Sequence, residues 1–154
     1  MNEMSVCLPQ PGEHRLPVSK LRGVPQTARV RLKSLRITTC GQLLAAAATP
    51  AGRSRVAQAT GIDPALLLDL VRRADLARIN GIGTVFGLML EALGVVDVGR
   101  LAGQEATALH QALRRFNEAE RLARRSPTPE EVADWIAAAR AAPVCVIEAP
   151  PTID

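Results

Sequence analysis

The 154 residues include 25 Ala and 19 Leu but only two Phe, one Trp and no Tyr, which favours helices over sheets. No apolar run approaches the roughly 20 residues of a membrane span, and residues 1–17 lack the charged-then-apolar order of a secretory signal. The net charge of +4 is uneven, with nine Lys/Arg against two acids in residues 1–60 and ten against thirteen in residues 61–154, so an anionic partner is expected at the first half.

A chain of this length is expected to form one compact domain or two intimately packed halves. Residues 1–17 hold three prolines, one glycine and no apolar period, and read as a flexible N-terminal arm. A first helical unit, 18–74, follows. Its first long helix is predicted over 25–35 with Pro25 at the N1 position, where a missing N–H costs nothing. Thr39 and Gln42 have capping-box spacing for a helix through Ala48. Thr49-Pro50 starts another helix that ends near Gly61, and Asp63-Pro64 one that runs to about Ala74. In the second unit, 75–142, Leu76 and Ile79 fit a short helix ahead of a glycine hairpin. After it come a helix to Leu93, a short Asp97-capped helix stopping at Gly103, and helical stretches over 105–115 and 117–125, broken or bent near Phe116-Asn117. Thr128, Pro129 and Glu131 supply N-cap, N1 and N3 of a helix through about Ala141. Residues 143–154 form a proline-containing tail whose apolar stretch 144–147 is placed to dock or pair.

The densest signal is Arg78-Ile79-Asn80-Gly81-Ile82-Gly83. Two glycines around a β-branched residue make a turn too tight for side chains, and Ile82, Phe86, Leu90 and Leu93 then mark one helical face. A shift of 58 places lays residues 20–44 on 78–102 without a gap. Leu21 meets Ile79, Gly23 meets Gly81, and the stripe Val24, Ala28, Leu32, Leu35 meets Ile82, Phe86, Leu90, Leu93. With a seven-residue insertion, Asp63-Pro64 and Asp69-Leu70-Val71 fall opposite Thr128-Pro129 and Asp134-Trp135-Ile136. The pattern reads as an internal duplication into two related units packed on each other. Leu32, Leu35, Phe86, Leu90, Leu93 and Trp135 are expected to be buried.

Helix, Gly-hydrophobic-Gly hairpin and helix together resemble the helix-hairpin-helix superfamily. Its members hold nucleic-acid phosphates on hairpin amides at a helix N-terminus, where orphan N–H groups and the helix dipole favour an anion. A second resemblance rests on Thr60-Gly61-Ile62, on Ala74-Asp75-Leu76 with Ile79 and Gly81-Ile82-Gly83, and on the stretch from Leu122, Arg124-Arg125 and Pro127 to Val132 and Asp134-Trp135-Ile136. These resemble the bacterial domain-of-unknown-function family 4332 over about residues 18–141. The resemblances imply an all-α fold of tandem duplicated helix-hairpin-helix units packed into one compact helical domain. The superfamily further implies nucleic-acid binding, whereas family 4332 carries no known activity.

Catalytic patterns are missing from the sequence. Cys7, Cys40 and Cys145 are odd in number, far apart and without Cys-x-x-Cys spacing, so they read as reduced thiols of a cytoplasmic protein. His14 and His110 have no ligand partners at metal spacing. No serine sits in a Gly-x-Ser-x-Gly elbow, and no phosphate-binding Gly-rich loop ends in Lys-Ser/Thr. Glu130 and Glu131 fit helix capping and the dipole. A non-enzyme without cofactor or metal is the expectation.

Binding patterns are present. Lys20 and Arg22 flank the first hairpin at Gly23, and Arg29, Lys33 and Arg36 follow at i, i+4 and i+7, opposite the apolar stripe. No acid lies between Arg15 and Arg55 to balance them. The second hairpin has the amide-rich loop Gly81, Ile82, Gly83, with Thr84 where the superfamily resemblance implies Lys, but Gly87, Glu91 and Gly94 replace the three helix cations. The first has the charge, yet Pro25 replaces its second glycine and removes an N–H. These residues form the candidate phosphate contacts to DNA or RNA, with little sequence preference. A third basic group, Arg114, Arg115, Arg121, Arg124 and Arg125, is interleaved with Glu118 and Glu120 and reads as mixed surface or a partner-facing helix. The other reading is a protein-interaction or scaffold module that keeps the fold without the nucleic acid.

Overall fold

The computed structural model describes residues 14–142 and 145–147. Among these residues the fold is all-α. A 3-10 turn, Val18–Lys20, precedes α1 (Gln26–Ser34), α2 (Cys40–Ala47), α3 (Pro50–Thr60), α4 (Pro64–Leu76), α5 (Gly83–Ala92), α6 (Val98–Ala102), α7 (Ala106–Glu120) and α8 (Pro129–Ala141). The described residues divide into two compact units, one up to Asp75 together with 145–147 and the other from Leu76 to 142.

Most helix starts follow from local side-chain chemistry. Thr39 Oγ1 accepts from the Gln42 N–H, and the Gln42 side chain accepts in return from the Thr39 N–H. Thr128 and Glu131 close the same reciprocal box on α8, and Thr49 caps α3. Pro50 and Pro129 stand at the first helical positions, where no N–H is needed. Losing one such cap costs about 1 kcal/mol.

In the first unit α1 and α2 pack on α3, around Leu32, Leu43, Leu44, Leu67, Leu70 and Val71. In the second, α6 and α7 pack on α8 and α5 packs on α7, around Met89, Leu90, Leu101, Leu113 and Val132. Full burial of one such side chain is worth roughly 1.5–3 kcal/mol, so these positions hold each unit together. Burial also pushes the Cys40 thiol up to about 12, which leaves it inert as a nucleophile. Cys7 lies outside the described residues.

Local backbone geometry repeats at the 58-residue offset. Leu21 N–H bonds to the Val18 carbonyl and Ile79 N–H to the Leu76 carbonyl, both at 3.0 Å. After α1, Arg36 N–H reaches Lys33 and Ile37 N–H reaches Leu32; after α5, Gly94 reaches Glu91 and Val95 reaches Leu90. Each pair is a Schellman closure with its C′ residue in the left-handed region, Arg36 at φ 64° and Gly94 at φ 86°. The next helix is then capped by Thr39 in one unit and Asp97 in the other.

Several expectations need correction. The stripe ends earlier than its spacing suggests, because both helices close before Leu35 and Leu93. These two leucines are 41 % and 36 % exposed, and Ile37 and Val95, folded back by the Schellman turns, fill the core instead. Phe86 is half-buried, whereas Trp135 is 2 % exposed as expected. Pro25 is the extended N-cap residue of α1 (ψ 149°) and not its first helical residue. Ahead of the second hairpin the predicted short helix is the end of α4, followed by a turn. The expected break near Phe116 does not occur: α7 runs through it and stops where Arg121 turns left-handed. Asn117, buried, fixes that exit by donating to the Ala123 carbonyl and accepting from its N–H.

Of the predicted arm, residues 1–13 lie outside the described residues and 14–17 are tied to the first unit. Leu16 and His14 accept through their carbonyls from Cys40 and Gly41, and His14 Nε2 lies 2.8 Å from the Ala74 carbonyl. Ile147 N–H likewise bonds to Ala48, while buried Arg53 donates to the carbonyls of Ala47, Ala48 and Ile147. The corrected stripe sets a test. Leu32→Ala and Leu90→Ala should each lose about 2–5 kcal/mol in urea unfolding, and Leu35→Ala and Leu93→Ala less than about 1 kcal/mol.

Candidate nucleic-acid interface

Two stretches carry the candidate contacts, one in each unit. In the first, residues 20–25 turn at Gly23, φ 76°, into α1. The turn is braced from α4: Arg73 Nη1 donates to the Arg22 carbonyl at 2.9 Å and occupies the space that a Cβ on Gly23 would need. Lys20 is exposed, and Arg22 is half-buried and engaged with the protein. On α1, Arg31 is structural, donating to the Thr60 carbonyl at 3.0 Å. Arg29 and Lys33 are exposed on one face and, among the described residues, have no acidic partner. Arg36 is exposed too, but it sits beyond the end of α1 in the left-handed turn. The expected i, i+4, i+7 face therefore covers Arg29 and Lys33, and Arg36 extends it from a different backbone.

In the second unit the turn runs through Gly81, φ 92°, and Gly83, φ 68°, into α5. Gly83 and Thr84 are exposed, and a Cβ on Gly83 would meet nothing within 4 Å. Ile82 is 3 % exposed, so its side chain anchors the turn in the core. Beneath Gly81 lies the indole of Trp135, its Nε1 3.4 Å from where a Cβ would stand. The ring packs on Phe86 with centroids 5.5 Å apart, and Arg125 covers Phe86 at 5.6 Å. Arg125 is already committed to Glu131 through a bidentate pair at 2.7 and 3.0 Å.

The two turns share one feature that sets α1 and α5 apart from the other α-helices whose caps are described. Helices α2, α3, α6, α7 and α8 each begin with a side chain that accepts from their first amides. At α1 the N-cap is Pro25 and at α5 it is Ile82, and neither offers an acceptor. The first-turn N–H groups of both helices are thus left for solvent or an anion. Sequence reasoning found both turns but missed Arg73 and the placement of Trp135 beneath Gly81. Each reaches its hairpin across more than 50 residues of chain, and no local pattern marks such a contact.

Residues 22–142 match the family described as Domain of unknown function (DUF4332). The chain belongs to this family. The match runs from the first hairpin to the end of α8 and brings no activity with it. No curated protein and no solved structure matches the chain. Among the described residues of this DUF4332 protein, no helix is long and apolar enough to cross a membrane.

Two measurements follow from the site. Arg36 occupies a left-handed position where Gly94 stands in the other unit, and an L side chain there costs roughly 1–2 kcal/mol. Arg36→Gly should raise the melting temperature while weakening any phosphate contact made by the guanidinium. The second concerns Arg125, whose hydrogen bonds, with the Thr128 N–H, hold the Glu131 carboxyl down at about 2 from an ordinary 4.5. Because the folded value is depressed, this stabilisation is present above about pH 4.5 and is lost as pH falls towards 2. Arg125→Gln should therefore lower the melting temperature at pH 6, and the gap to wild type should close near pH 2.

Proposed function

We propose that this protein is a non-enzymatic, cytoplasmic nucleic-acid-binding protein that grips the phosphate backbone, most readily of DNA, through two duplicated helix-hairpin-helix units. The observation that carries the reading is the pair of uncapped helix starts. Where cap geometry is described, α1 and α5 are the two α-helices whose first amides meet no side-chain acceptor, and the turns into them run through Gly23 and Gly81 at positive φ. The repeated hydrogen bonds at the 58-residue offset support the duplication. Exposed Lys20, Arg29, Lys33 and Arg36 add cations to the first turn, in a segment with no acid of its own. Backbone contacts position a protein on a duplex without reading bases, so little sequence preference follows.

A protein-interaction module is the second reading, and α5 is what favours it. That helix carries one acid and no cation, and it leaves Val85 and its C-cap Leu93 42 % and 36 % exposed. Titration of the pure protein against labelled random duplex and single strand at two salt concentrations separates the readings. Nucleic-acid binding predicts an affinity that falls steeply with salt. The triple variant Arg29→Glu, Lys33→Glu, Arg36→Glu should then lose affinity similarly on all sequences, with a salt slope flatter by about 0.9 for each lost duplex contact. Wild-type protein that ignores both ligands at low salt would leave the interaction module standing.

A further inference from the structure

The turn between α7 and α8 carries basic residues that neither hairpin uses, and it is pinned at several points. Buried Asn117 donates to the Ala123 carbonyl and accepts from its N–H. Arg125 is bound to Glu131 and lies over the Phe86 ring, and Pro127 is buried. Between these anchors Arg121 and Arg124 are exposed, with no acidic partner among the described residues. Leu122 is 42 % exposed. Arg121 ends α7 in the left-handed region, φ 53°, where a helix exit commonly carries glycine. Strain retained at an exposed residue points to a use for its side chain.

The contact of Arg125 with Phe86 sets the turn against the first turn of α5. Next to Phe86 in sequence stands Val85, also 42 % exposed. We propose that Arg121, Leu122 and Arg124, with Val85, form a docking surface for a short protein segment that carries acids beside apolar side chains. The two guanidinium groups take carboxylates, with which they form charge-assisted, bidentate hydrogen bonds. Leu122 and Val85 cover the apolar side chains, removing aliphatic surface from water on both partners. A nucleic-acid backbone matches this surface less well. It offers nothing to two exposed aliphatic side chains, and Glu120 and Glu130, exposed on either side of the turn in sequence, repel a continuous polyanion. A peptide can space its few acids to avoid them. Because the turn is already pinned, little ordering cost falls on binding. None of these four side chains is a phosphate contact of the hairpins, so the docking surface stands whether or not the protein holds nucleic acid.

The probe is a short fluorescent peptide with two leucines set between glutamates, and its control has serines for the leucines. The leucine peptide should bind saturably and shift the backbone amide signals of residues 121–124 in nuclear magnetic resonance, and the serine peptide should bind more weakly. Arg124→Gln should weaken the leucine peptide about tenfold, the loss of hydrogen bonds to a charged group. Leu122→Ser and Val85→Ser should each weaken it severalfold. Arg121→Gly separates binding from folding, because it relieves the left-handed strain while removing the charge. It should raise the melting temperature and still weaken the peptide about tenfold. Signals of 121–124 that stay in place with the leucine peptide would overturn the proposal. Equal binding of the serine peptide would overturn the apolar part of the surface, and unchanged binding by Arg121→Gly and Arg124→Gln its basic part. A random duplex that shifts the 121–124 signals saturably, where the peptide does not, would give the turn to nucleic acid instead.

Discussion

The first N–H groups of a helix cannot be reached by its own carbonyls, and whatever accepts from them governs what the helix start can do. Five helices here resolve the problem internally, with Thr39, Thr49, Asp97, Glu105 and Thr128. Helices α1 and α5 do not, and their caps are residues without a polar side chain, Pro25 and Ile82. Glycines at positive φ just before them keep side chains out of the approach. Side chains from elsewhere in each unit pack against these two turns. Ile82 is buried as an anchor, Arg73 braces one turn through a carbonyl, and Trp135 supports the other from α8.

On this shared backbone the units have taken different surfaces. The positions of Arg29, Lys33 and Arg36 are Gly87, Glu91 and Gly94 in the second unit. Arg36 makes the contrast sharpest. It tolerates a left-handed conformation that Gly94 adopts without strain, and strain retained at a surface residue points to a use for its side chain. The excess positive charge of the first sixty residues thus has a structural location. The second unit, with eight Lys/Arg against eight acids over residues 76–143, retains the more open amide turn. The exposed cations Lys20, Arg29, Lys33 and Arg36 thus lie in the first unit, and the turn with two glycines at positive φ lies in the second.

Much of this was legible in the sequence. Helix starts marked by Thr39-x-x-Gln42 and Thr128-Pro129-x-Glu131 appear where capping chemistry puts them, because these are local rules acting over four residues. The all-α class followed from alanine, leucine and the lack of aromatics. Periodicity failed at Leu35 and Leu93, since apolar spacing continues past a helix that the Schellman turn has already ended. The Arg36 misplacement has the same cause. Asn117 hid the true end of α7, as its bonds to Ala123 are set by a fold-back that no pattern of types announces. In the candidate site, the glycines and cations could be read directly. The donors beneath them could not, because Arg73 and Trp135 arrive from distant helices and are recognised only by what they touch.

The central claim is that the open amides of α1 and α5 accept phosphate, and amide hydrogen exchange addresses it at those groups. In the free protein the first-turn amides of both helices, lacking a side-chain acceptor, should exchange faster than those of α2 and α8. With saturating random-sequence duplex at low salt, exchange should slow at residues 26–28 and 83–85, with α2 and α8 unaffected. Unchanged exchange at both helix starts, or protection confined to other surfaces, would contradict the account.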